Sequence, residues 1–220
     1  MGAIGPQGVQ GLQGLQGMQG ERGTAGTKGV PGVKGAKGDK GDKGDRGVQG
    51  AAVAIVPLCA GNVLCLTSQE NGLAAVPGLL GGACSAVGAG ALGGGIDLGG
   101  DAGIALPIPR DCLIRSVSAH FSVSGELRLT GSAITVHARL FSAAGSNRFT
   151  PLSGTELTFA PLLRGKVVRG RHLSAKANEL SVRIAAGTRL LVVFSITGTG
   201  RTPAQSLSGY LSAALELSFD

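Results

Sequence analysis

From Ile104 to the C-terminus, apolar and polar residues alternate in runs of five to eleven, each closed by turn-forming residues. The runs are Ile104–Ile108, Leu113–Val123, Ala133–Ser142, Glu156–Leu163, Arg189–Thr197 and Tyr210–Phe219. A period of two places successive side chains on opposite faces of a strand, so each run predicts a β-strand. In Leu113–Val123 the alternation predicts Ile114, Ser116, Ser118 and His120 on one face and Leu113, Val117 and Phe121 on the other. Ser124-Gly125, Ala144-Gly145-Ser146-Asn147 and Gly198-Thr199-Gly200 predict the turns. Upstream, Val53–Leu58 and Asn62–Thr67 are short apolar runs that read as buried strands. Many short strands without a convincing helix predict an all-β sandwich or jelly roll.

Two stretches break this pattern. Gly72 to Ile96 runs for 25 residues without a charge, but nine are glycine and one is Pro77, a poor composition for a membrane helix. It predicts strands and turns packed against an assembled trimer, and residues 53–100 form an apolar, Gly-rich lead-in to the head. The other break is stricter. Every third residue from Gly2 to Ala52 is glycine, giving seventeen uninterrupted Gly-X-Y triplets. No helix or strand face has that period; a collagen triple helix does, because only glycine fits at its axis. The chain thus predicts a collagen triple helix over 1–52 and an all-β head over 53–220. Since the triple helix needs three chains, it also predicts a homotrimer.

The triplets indicate how such a rod is held. Proline occurs only at Pro6 and Pro31, so imino-acid rigidity is weak. Instead Lys37, Lys40 and Lys43 in Y are each followed by Gly and then by Asp39, Asp42 and Asp45 in X. In a one-residue stagger this places a Lys of one chain near an Asp of the next, each exposed pair contributing about 0.5 kcal/mol. Lys-Gly-Asp also matches an integrin-type adhesion motif, but the spacing already has a structural role. Towards the N-terminus, Gln7, Gln10, Gln13, Gln16 and Gln19 fill Y, while Val9, Leu12, Leu15 and Met18 form an apolar X row suited to lateral association. Met1 opens directly onto Gly2-Ala3-Ile4-Gly5 with neither a basic nor an apolar signal region, so no secretory signal is expected.

Charge and composition narrow the chemistry. The formal net charge is +7, and six Phe, one Tyr and no Trp leave few rings to stack on bases, so no nucleic-acid partner is expected. The same scarcity predicts a core of Leu, Val, Ile and Ala. Cys59, Cys65, Cys84 and Cys112 sit in apolar surroundings and read as buried thiols, with a disulfide as the alternative. His120 and His137 fall inside strands, with no GxSxG nucleophile, and no two histidines lie three to five residues apart. No catalytic residue, metal or cofactor is expected. Arg164, Lys166, Arg169 and Arg171, with His172 and Lys176, form a basic cluster around Gly165 and Gly170. It reads as a solvated loop or as an anion or acidic-glycan contact. Because Val53 directly follows the rod, Ile55, Val56, Leu211, Ala213 and Leu215 are the expected apolar trimer contacts.

The order of parts resembles the collagen-like exosporium glycoproteins of spore-forming bacteria, and the head resembles the BclB-related C-terminal domain. The matching residues are Gly94-Gly95-Ile96-Asp97-Leu98, Ile108-Pro109-Arg110-Asp111 with Ile114–Phe121, Phe149–Thr155, Thr188–Ser195 and Ser208–Ala213. The resemblance implies a trimeric, tumour-necrosis-factor-like jelly-roll head on a collagen stalk at the spore surface. It also implies O-linked sugars on stalk threonines, of which this stalk has only Thr24 and Thr27. The expected function is that of a structural surface protein, partnered with itself and with other surface-layer proteins. The alternatives are a ligand- or glycan-recognition module on a collagen stalk and a phage tail-fibre protein.

Overall fold

The computed structural model describes residues 12–20, 31–42, 50, 52–82, 84–88, 95–99 and 102–219. The chain separates into two units, Met1–Gly50 and Ala51–Asp220. In the first, residues 12–20 and 31–42 form no helix or strand, and every one is exposed. Within the single chain Leu12, Leu15 and Met18 of the apolar X row are open.

In the second unit the described residues form sixteen strands and one 3-10 turn, Ala102–Ile104. The first six strands are β1 (Ala52–Cys59), β2 (Leu64–Ser68), β3 (Ala74–Val76), β4 (Gly78–Leu80), β5 (Ser85–Val87) and β6 (Ile96–Asp97). Next come β7 (Leu106–Pro107), β8 (Cys112–Val123), β9 (Leu127–Ala143), β10 (Arg148–Pro151) and β11 (Leu157–Thr158). The last are β12 (Leu163–Val167), β13 (His172–Ala177), β14 (Val182–Ile184), β15 (Arg189–Gly200) and β16 (Ser206–Phe219). No helix among the described residues is long and apolar enough to cross a membrane. The uncharged stretch from Gly72 contributes β3 to β6 instead; its residues 83 and 89–94 lie outside the described set.

All pairings are antiparallel. A seven-stranded sheet runs β13-β8-β16-β2-β3, with β1 also on β16 and β14 also on β8. A nine-stranded sheet runs β5-β4-β15-β9-β10-β6, with β11 and β12 also on β9 and β7 also on β15. One core joins them. Leu66, Phe121, Leu211 and Leu215 of the first sheet and Ile134, Leu140, Val192 and Phe194 of the second belong to it. A second cluster holds Leu79, Ile96, Phe141, Phe149, Leu191 and Val193. Because Leu191 and Val193 alternate with Val192 and Phe194, β15 is covered on both faces, which is why its sequence is an unbroken apolar run. The Gly-rich lead-in packs against its own chain through Leu79, Ile96 and Leu98.

Two expectations are corrected by local geometry. Opposite Glu216 and Leu217, β8 places Ser116 and Ile114, so Arg115 is the extra residue of a bulge. The bulge switches parity: Ile114 joins Val117, Ala119 and Phe121 in the core, and does not share a face with Ser116 and His120. The predicted strand Glu156–Leu163 is two strands, because Pro161 has no N–H for a ladder and Ala160 bridges to Ser174 of the other sheet. The core is mostly Leu, Val, Ile and Ala, as the scarcity of rings predicts, and Phe121, Phe149, Phe159 and Phe194 are its largest fully buried side chains. Close packing there also explains Gly209, where a Cβ would stand 2.5 Å from the Phe121 ring.

Candidate functional site

The residues expected to mediate assembly divide sharply. Leu211, Ala213 and Leu215 are buried in the core of their own chain, so they are unavailable to a partner. Their alternation with Tyr210, Ser212 and Ala214 on β16 turns the apolar set inward. Val56 likewise packs against the core. Ile55 alone of the five faces outward, 73 % exposed, with Val53 beside it at 57 %. The outer row of β1 thus comprises Val53, Ile55, Pro57 and Cys59, paired in register with Ser218, Glu216, Ala214 and Ser212.

An open groove of about 630 Å³ adjoins this row, lined by Val53, Arg115, Asn178, Glu179, Leu180 and Glu216 among others. Its walls are pinned: Arg115 Nε donates to Ser218 Oγ at 2.9 Å and Ser116 Oγ donates to Glu216 Oε2 at 2.7 Å. The Leu180 amide donates to the Arg115 carbonyl, and Glu179 holds a left-handed φ of 58°.

The basic cluster gathers at one end of the sandwich and gains members the sequence did not suggest. Lys166 pairs across strands with Arg128. Both reach one carboxylate, Glu126, at 3.4 and 3.6 Å. The Val168–Arg171 turn closes through Arg171 N–H to Val168 O, with Gly170 at φ 80° where a side chain would be strained. Gly170 N–H donates to Val123 O, which ties Arg169 and Arg171 to the end of β8, three residues before Glu126. Arg164, Lys166, Arg169 and Arg171 are all exposed. One shared carboxylate leaves the rim strongly positive.

The stalk run is exposed at Lys37, Asp39, Lys40 and Asp42, and the partners proposed for these residues belong to other chains. Lys43 and Asp45 lie outside the described residues.

The cysteines depart from expectation. Cys59, Cys65 and Cys84 are exposed free thiols, and only Cys112 is buried. Cys59 and Cys65 lie opposite Ser212 and Ser208, on the outward parity of β16. Burial, helped by the adjacent Asp111 carboxylate, pushes the Cys112 thiol above its ordinary range, which makes it inert.

The histidines sit in two settings. His120 and His172 are exposed neighbours on β8 and β13. His137 is half-buried on β9, its Nε2 2.9 Å from Thr197 Oγ1 and its Nδ1 3.3 Å from Thr158 Oγ1. It lines a small cavity of about 180 Å³ with Ser195 and with Arg139, which pairs with Glu156 at 2.7 Å. Hydroxyls thus hold both imidazole nitrogens. Desolvation lowers the His137 pKa below its ordinary value of 6.5. As pH falls past that value the unfolded chain takes up a proton first, so stability is lost until the folded imidazole protonates as well. Thermal melts should therefore fall as the pH drops below about 6.5. His137→Gln should flatten that slope, and an unchanged slope would assign it to other groups.

Comparison with known proteins bears on the first unit. Residues 1–54 match the family described as Collagen triple helix repeat (20 copies). Neither a curated protein nor a solved structure matches the chain. The protein accordingly carries a collagen-like N-terminal segment followed by an all-β domain.

Proposed function

We propose that this chain is a non-enzymatic structural surface protein, a homotrimer whose collagen-like stalk carries a jelly-roll, tumour-necrosis-factor-like head in the spore exosporium. The observation that carries the reading is the junction. The last glycine triplet starts at Gly50, and β1, with its exposed Val53 and Ile55, begins at Ala52. A triple helix holds three chains side by side. Three copies of β1 therefore start from a common axis, and their outward apolar row is the surface that meets a neighbour. Obligate homo-oligomer contacts are apolar in this way. Two antiparallel sheets around one core support the jelly-roll part of the reading. The likeness of the parts to exosporium glycoproteins supports the location.

Sedimentation equilibrium should give a mass three times that of the chain, and antibodies against the β domain should label the outside of intact spores of the producing organism. A monomer at micromolar concentration would overturn the assembly, and labelling of virions would move the protein to a phage fibre. The basic rim favours a second reading, recognition of an acidic glycan by the head. Retention of the protein on a sulfated polysaccharide column, lost on Arg169→Glu with Arg171→Glu, would support it.

A further inference from the structure

The outward face of the seven-stranded sheet brings together two nitrogen ligands that lie 52 residues apart in sequence. His120 on β8 is directly opposite Ser174, and His172 on β13 is directly opposite Ser122. The two histidines are therefore diagonal neighbours, within reach of each other across the ladder. The serines facing them are small and leave the rings room to meet. They do meet: His120 Nδ1 lies 3.4 Å from His172 Nε2, with ring centroids 5.3 Å apart and planes inclined by 21°.

We propose that His120 and His172 form a chelating site for a divalent transition-metal ion of borderline softness, such as Zn²⁺, Ni²⁺ or Cu²⁺. Imidazole suits these ions. Two nitrogens 3.4 Å apart can both reach one ion at about 2.1 Å with a ligand–metal–ligand angle of about 110°, the tetrahedral value. The facing nitrogens lie within hydrogen-bond distance, and rotation of the exposed rings can turn both lone pairs onto a common point. The backbone beneath is fixed, because Ala119, Phe121 and Leu173, which flank the two histidines, are buried in the core. Ligands on rigid strands need little ordering on binding.

No group of three His, Cys, Asp or Glu suited to a metal occurs among the described residues, so water completes the coordination. Arg171 adjoins His172, and Lys176 lies on the same strand opposite Ser118. No carboxylate joins the ligand set among the described residues to offset these cations, so binding is weaker than at a structural zinc site with four protein ligands. Both ligands belong to one chain. The site therefore needs no second chain to supply a ligand.

The test is isothermal titration of the metal-free, full-length protein with Zn²⁺ and separately with Ni²⁺. One saturable ion per chain is expected. His120→Ala and His172→Ala should each weaken it by at least about tenfold, because a single imidazole loses the advantage of the second, tethered ligand. His120→Gln, which keeps a polar side chain of similar reach, should behave like the alanine variant. His137→Ala should bind as the parent does, since that imidazole is held by two threonines on another sheet. Unchanged circular dichroism of the two exposed variants would separate lost ligation from lost folding. Binding retained in both single variants, or no saturable binding up to millimolar metal, would overturn the site.

Discussion

Replacing Ile55 by Asp should yield a β domain that folds but no longer assembles, whereas Leu215→Asp should not fold at all. The two positions are one residue apart in β-sheet register, since Ile55 faces Glu216, but their surroundings are opposite. Leu215 is wholly inaccessible and belongs to the core that joins the sheets. An unpaired carboxylate there loses the leucine contacts and adds a desolvation cost, together on the order of 5 kcal/mol. That equals the whole stability of a small domain. Ile55 is 73 % exposed, so the single chain loses little when it becomes Asp. The new charge meets Glu216 across the ladder, which costs the monomer only about 0.5 kcal/mol. In the trimer the same residue would be buried three times, each burial contributing about 2 kcal/mol. Light scattering coupled to size exclusion, with far-ultraviolet circular dichroism on the eluted peak, distinguishes the cases. Trimers formed by Ile55→Asp would remove the β1 face from the interface.

The contrast between those two residues also marks how far the sequence could be read. Alternation on β16 correctly separates Leu211, Ala213 and Leu215 from Tyr210, Ser212 and Ala214. It does not say what covers the apolar set, because a core and an oligomer interface both select the same residues. The five expected contacts therefore mix three core residues and a half-buried Val56 packed on that core with one outward isoleucine. Long runs with clean alternation, such as Leu113–Val123 and Tyr210–Phe219, lie within β8 and β16. The parity switch at Arg115 was invisible, since a bulge depends on the partner strand and leaves no mark on composition. β13 went unnoticed for another reason. In His172–Ala177 only Leu173 is a large apolar residue, so the charges around it read as a loop. The basic rim was legible as a local run, but Glu126 and Arg128 join it from the β8–β9 connection and the start of β9, some forty residues upstream, and only strand pairing brings them there. The histidine pair was missed on the same ground: metal-ligand spacing looks for neighbours in sequence, and these are neighbours only across β8 and β13.

Cutting the stalk from the β domain is expected to abolish its triple helix at about 37 °C. Seventeen triplets with prolines only at Pro6 and Pro31 have little preset backbone, so each residue ordered costs about 1 kcal/mol of entropy before any contact offsets it. Three separate chains must also find one another and the correct register. At micromolar concentration that search is penalised twice, once for each chain added. If the β domains hold the three chains together, the local concentration rises to about millimolar. A thousandfold gain at each step is about 4 kcal/mol, enough to decide whether a marginal rod forms. The circular dichroism of residues 1–52 alone should accordingly lack the triple-helical signal that the whole chain shows. Within the whole chain, Asp39→Asn with Asp42→Asn and Asp45→Asn should lower the melting temperature of the rod. Exposed ion pairs are screened by salt, so this loss should shrink in molar sodium chloride. A salt-independent loss would transfer the stabilisation from the Lys-Gly-Asp run to packing. Equal melting of the isolated stalk and the whole chain would show that the β domain does not register the rod, and would leave the outward row of β1 without its proposed role.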